Sequence, residues 1–118
     1  MKTMIILNSF NNNVMKDLSI KLREKGKKED RTAELIIEGD LTITYVEKFR
    51  DKVLDVMENY PKIDIKLQNI ENIDLCAIQL LLSIRQSISP ERFKLHVALR
   101  DDLKRLVEHA GFAEKILN

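Results

Sequence analysis

From Ala33 onward, the apolar residues of this chain switch three times from alternate positions to a helical repeat of about 3.6. Ala33-Glu34-Leu35-Ile36-Ile37-Glu38 reads as a strand closed by Gly39-Asp40. Val46, Phe49, Val53, Val56, Met57 and Tyr60 then fall on one helix face, and Pro61 stops that helix. Ile63, Ile65 and Leu67 alternate with Asp64 and Lys66 in a second strand, with Ile70 to Asp74 as a short connection. Leu75 to Ser89 is apolar almost all round at its start, so this helix is expected to be buried on several sides. Phe93, Leu95, Val97 and Leu99 form another alternating strand. A last helix opens at Arg100-Asp101-Asp102, turns Leu103, Leu106, Val107 and Ala110 inward, and is capped by Gly111.

Ahead of these pairs, Leu18-Ser19-Ile20-Lys21-Leu22-Arg23 alternates as a half-buried strand whose hairpin partner starts at Ala33. The charged run Lys25-Gly26-Lys27-Lys28-Glu29-Asp30 between them reads as a solvated hairpin tip. Thr44 and Glu47 have capping-box spacing at the start of the first helix. The order is β-β-α-β-α-β-α, which implies an α/β fold: a mixed sheet with helices packed against it. At 118 residues the chain has the size of one domain, assigned to residues 15–118. Residues 1–14, with the polar run Asn8 to Asn13, are expected to be a flexible extension; an edge strand at residues 3–7 is the alternative.

Charge and residue usage remove several functions. Residues 1–33 carry a net +4 and the remainder −3, so the chain is nearly neutral at +1, without the basic excess of a phosphate-neutralising nucleic-acid binder. No Trp, 2 Tyr and 4 Phe make a poor stacking platform for single strands. One cysteine excludes an internal disulfide and any multi-cysteine zinc site. The longest apolar runs are a few residues, too short for membrane insertion or a secretory signal, and the cytoplasm is the default compartment. His96 and His109 lack partners at metal-ligand spacing, and the three glycines form no phosphate loop. No nucleophile, base and orienting group fall together by spacing. A non-enzyme without cofactor or metal is the expectation.

Several segments resemble the STAS domain family, which includes anti-sigma-factor antagonists and the cytoplasmic tails of sulfate transporters. Ile37-Glu38-Gly39-Asp40-Leu41-Thr42-Ile43 is similar to the family's strand, Gly-Asp-Leu and helix entry. Lys66 to Asp74 is similar to its central strand and the loop ending in Asp, Ile78 to Leu82 to its buried helix, and Leu103 to Phe112 to its closing helix. The resemblance spans roughly residues 17–117 and implies a STAS-like fold. In phosphorylatable members a Ser or Thr follows the loop Asp and takes phosphate from a partner kinase. Here the run is Asp74-Leu75-Cys76-Ala77, with Cys76 at the acceptor position. A thiol is no acceptor for a serine kinase, so the resemblance implies that this switch is absent.

Cys76 and Asp74 also have plain structural readings. A helix start lowers a thiol pKa, but Asp74 opposes that and an apolar setting makes Cys76 a small core residue. Asp74 reads as a helix N-cap. The resemblance implies a partner-binding loop and helix start at Asp74, Leu75, Cys76, Ala77 and Ile78, recognised by an anti-sigma, kinase-like or scaffold protein. The alternative is a cytoplasmic accessory subunit of a lipid-transport ABC system, whose small STAS members keep a loop Thr that this chain lacks. A third possibility is small-ligand or nucleotide binding in the cleft beside the loop.

Overall fold

The computed structural model describes residues 17–109 and Gly111. The expectation for residues 1–14 and the inward placement of Ala110 lie outside these. Four strands, β1 (Leu18–Lys25), β2 (Thr32–Leu41), β3 (Lys62–Ile73) and β4 (Phe93–Val97), form one sheet in the order β1-β2-β3-β4. Helices α1 (Val46–Asn59), α2 (Leu75–Ser87) and α3 (Asp101–His109) follow β2, β3 and β4. β1 pairs antiparallel with β2, while β2–β3 and β3–β4 are parallel. The expected mixed sheet and element order are present.

Parallel neighbours need a crossover, and crossovers are right-handed in nearly all proteins. Because the chain moves across the sheet in one direction, from β2 to β3 to β4, both connecting helices fall on the same face. Burial agrees. Ala33, Leu35, Ile37, Ile63, Ile65, Leu67 and Phe93 point into one core with Phe49, Val53 and Val56 of α1 and Ala77, Ile78, Leu81 and Ile84 of α2. Leu103 and Val107 of α3 join it, whereas Leu106, expected to turn inward with them, is exposed. The opposite face carries Lys21, Arg23, Lys25, Glu34, Asp64, Lys66, Lys94 and His96, and no described helix covers it.

Several local expectations need correction. The residues from Ile70 onward are not a connection, because β3 runs on to Ile73. Its register against β2 shifts on either side of Gly39, and Asn69 adopts a left-handed φ of 50°. Each shift inserts an extra β3 residue, so the buried positions go from Ile63, Ile65 and Leu67 to Ile70 and Ile73. Gly39-Asp40 likewise does not end β2, which continues to Leu41. The Thr44–Glu47 capping box is not formed: Tyr45 is the N-cap residue and its side chain makes no capping bond to the helix. Instead, the Tyr45 hydroxyl donates to Asp17 and Lys48 Nζ to the Leu18 carbonyl, tying this end of α1 to the start of β1.

Burial on several sides holds only in part for α2, since Leu75 is exposed and Leu80 and Leu82 are half-buried. At the far end of α1, Arg92 donates to the carbonyls of Met57, Tyr60 and Pro61, satisfying acceptors a helix terminus leaves open. The hairpin tip is exposed, as read from its charges. Gly111 has a positive φ, and its N–H donates to Glu108, as a C-terminal cap requires.

Glu34 is the one buried charged residue among the described residues, and it lies on the face that no described helix covers. Lys66 Nζ lies 2.8 Å from Oε2, Arg23 Nη2 2.6 Å from Oε1 and Lys25 Nζ 3.4 Å from Oε2. Lys66, then Arg23 and Lys25, pull the carboxyl down to about 2 against the opposing effect of burial. A depressed carboxylate stabilises the fold above its unfolded value and loses that contribution as pH falls through its folded one. Wild type should therefore exceed Glu34→Gln in stability at neutral pH, with the gap closing as pH falls from the ordinary glutamate value of 4.5 to about 2. Denaturant titrations across that range check this. Gly39 has a φ of 101°, and a Cβ there would overlap the Asp17 carbonyl oxygen. Gly39→Ala should cost about 2 kcal/mol or more, read as a lower denaturation midpoint.

Candidate functional site

The loop between β2 and α1 meets the start of α2 through one carboxylate. Asp74 is extended (φ −125°, ψ 178°), the conformation of an N-cap residue, and its Oδ1 accepts the Ala77 N–H at 3.0 Å. Its Oδ2 accepts the Ile43 N–H at 2.8 Å. A single side chain thus caps α2 and holds the preceding crossover loop against it. That loop is itself closed by the Tyr45 N–H donating to the Thr42 carbonyl and by the Thr42 hydroxyl donating to Asp40.

This junction separates the sequence-predicted residues into two groups. Leu75 is 51% exposed and Cys76 half-buried, both at the surface of the first turn of α2. Ala77 and Ile78 are in the core at 0% and 1%. They hold the helix to the sheet from beneath, so direct contact with any partner falls to Leu75 and Cys76. Ile43 belongs with them: it is 64% exposed and is held beside Asp74 by its backbone N–H. By sequence alone, Ile43 is only part of the strand-to-helix motif. Its membership of the site depends on a hydrogen bond across 31 residues, which no local pattern displays.

The outcome is an apolar pair, Ile43 and Leu75, flanking a capped helix start. Large apolar side chains at a surface are informative when they cluster around an ordered feature. Beyond the bulge in β3, a crevice of about 370 Å³ is lined by Gln68, Asn69, Glu71 and Arg100. The Arg100 guanidinium there is held by Asp102 and by the Ile70 and Glu71 carbonyls, and Asp102, its closest carboxylate, raises its pKa. Its charge is spent within the protein. Among the described residues no three His, Cys, Asp or Glu side chains gather as metal ligands, and no helix is long and apolar enough to cross a membrane.

Fold and site together define a one-sheet α/β domain with a surface organised around a capped helix start. The STAS domain family model matches residues 26–118, and the chain belongs to that family. Among solved structures it is similar to an anti-sigma factor antagonist from Mycobacterium paratuberculosis, with TM-score 0.62, 14% identity and 83% of each chain covered. It is also similar to a DUF3478-family protein with a SpoIIAA-like fold from Shewanella loihica, with TM-score 0.52, 12% identity and coverage of 83% of this chain and 79% of that one. At these identities the likeness concerns the fold. No curated protein matches the chain in sequence.

The capping geometry sets a measurable expectation. Asp74→Ala removes acceptors for two backbone N–H groups and should cost about 1–2 kcal/mol of unfolding free energy. Amide exchange at Ile43 and Ala77 should accelerate most. Asp74→Asn, which keeps one side-chain oxygen, should lose less.

Proposed function

We propose that this chain is a non-enzymatic protein-interaction module in bacterial cytoplasmic signalling that docks through the surface formed by Ile43, Asp74, Leu75 and Cys76. The observation that carries the reading is the exposed pair Ile43 and Leu75 around a rigidly capped α2 start. STAS membership and the anti-sigma factor antagonist neighbour support a protein partner of the anti-sigma, kinase-like or scaffold kind. Ala77 and Ile78 serve from below by fixing the helix on which this surface is built.

Phosphorylation is not the switch in this reading. A phosphoryl group at a helix N-terminus adds nearly two negative charges and changes what the surface attracts. Cys76 offers a thiol at that point and no hydroxyl. Binding is then controlled by how much partner is present, and not by a covalent mark at residue 76.

The test is co-purification of the tagged full chain from its native cell, followed by binding measurements with the captured protein. A histidine-kinase-like ATPase or another sigma-pathway protein is expected. Its affinity should fall at least tenfold, about 1.4 kcal/mol, for Leu75→Glu and for Ile43→Glu. Cys76→Ser should bind nearly as wild type and Cys76→Asp more weakly, with all variants folded by circular dichroism. Equal affinity for every variant would remove this surface from the interface. Capture of a transporter ATPase with its membrane partner would move the chain to the accessory-subunit class.

A further inference from the structure

We propose that the sheet face that no described helix covers is a second docking surface, built for an acidic amphipathic helix of a partner protein. It lies across the sheet from the core, apart from the Ile43–Leu75 surface. Parallel strand pairs usually have both faces covered. Here β2, β3 and β4 are paired in parallel, and all their crossover helices lie on one side.

The register lays out what the described residues of this face present. Lys21, Arg23 and Lys25 stand on β1, Glu34, Ile36 and Glu38 on β2, Lys62, Asp64, Lys66 and Gln68 on β3, and Lys94 and His96 on β4. Six permanent cations thus share the face with three carboxylates, in a chain whose net charge is only +1, and one of them, Lys62, is held by Asp30 at 2.8 Å. The carboxylates are already engaged. Glu34 is held by Arg23, Lys25 and Lys66, Asp64 takes Lys25 at 3.1 Å, and Glu38 accepts from the Gln68 and Asn69 amides. Lys21 and Lys94 are exposed on opposite outer strands, and Arg23 keeps 64% of its side chain in solvent. The positive surplus therefore faces outward along both margins.

Between those margins sits Ile36, half-buried and in register with Lys21 on one side and Lys66 on the other. Four strands spaced about 4.8 Å apart make a face roughly 15 Å across, and a helix with its side chains is about 10–12 Å wide. A helix lying along β2 and β3 would set an apolar stripe on Ile36 and place acidic flanks within reach of Lys21 and Arg23 on one side and Lys94 on the other. Charge complementarity of this kind sets the partner's sign and orientation. The face has no Phe, Tyr or Trp among its described residues, so it offers nothing on which the bases of a single strand could stack.

The probe is a fluorescein-labelled 18-residue helical peptide with a leucine stripe flanked by glutamates, measured by fluorescence anisotropy against the full chain at low salt. Wild type should bind it, and a version with every Glu replaced by Gln should bind at least tenfold more weakly. Lys21→Glu/Lys94→Glu, two exposed positions outside the core, should cost at least tenfold, and Ile36→Ser should also weaken binding. Leu75→Glu should leave it unchanged, which separates this surface from the proposed signalling interface. Amide shift changes on peptide addition should fall on β1, Ile36, Lys66 and β4. Equal affinity for wild type and Lys21→Glu/Lys94→Glu would overturn the proposal. So would tighter binding to a twenty-nucleotide thymidine strand or to phosphatidylserine vesicles than to the peptide.

Discussion

The handedness of two crossovers decides how this molecule presents itself. Once β2, β3 and β4 are laid side by side in one direction, right-handed connections force α1 and α2 onto one face of the sheet. The apolar alternation of each strand then has one face to bury and one to leave polar. The same constraint brings the β2–α1 and β3–α2 loops together at one end of the sheet. Asp74 can therefore bond to Ile43, a residue distant in the chain.

Asp74 shows how one side chain serves structure and surface together. Its two oxygens satisfy one N–H in the first turn of α2 and one in the neighbouring loop, so the cap of a helix also fixes the position of an exposed isoleucine. The plain N-cap reading is thus established by geometry. The functional reading depends on it, because an apolar pair binds more tightly when its backbone is already held in place. Cys76 sits half-buried beside this junction, and its chemistry matters to the proposal chiefly through the hydroxyl it lacks.

Periodicity revealed the architecture because most elements bury one clean face. Ile63, Ile65 and Leu67 alternate in sequence and in space, and Phe49, Val53 and Val56 share one side of α1. The reading failed where backbone geometry broke the period. Two register shifts in the β2–β3 ladder and the left-handed Asn69 move the buried positions to Ile70 and Ile73, and a strand so spaced looks like a loop. Thr44 and Glu47 had the spacing of a cap but not its position, because Tyr45 precedes the helix. Glu34 was read as one polar position among several. Its burial under Arg23, Lys25 and Lys66 depends on strand pairing that composition does not encode. The candidate site was visible at Asp74, Leu75 and Cys76, while Ile43 required the fold.

The central claim is that binding through the α2 start proceeds without a phosphorylation switch at residue 76. Incubating the chain with its captured kinase-like partner and Mg-ATP, then following complex affinity and intact mass together, tests it most directly. The account predicts an unchanged mass and an affinity equal to that measured without nucleotide hydrolysis. A gain of one phosphoryl group at Cys76 or within the Ile43–Ile78 surface, accompanied by release of the partner, would contradict it.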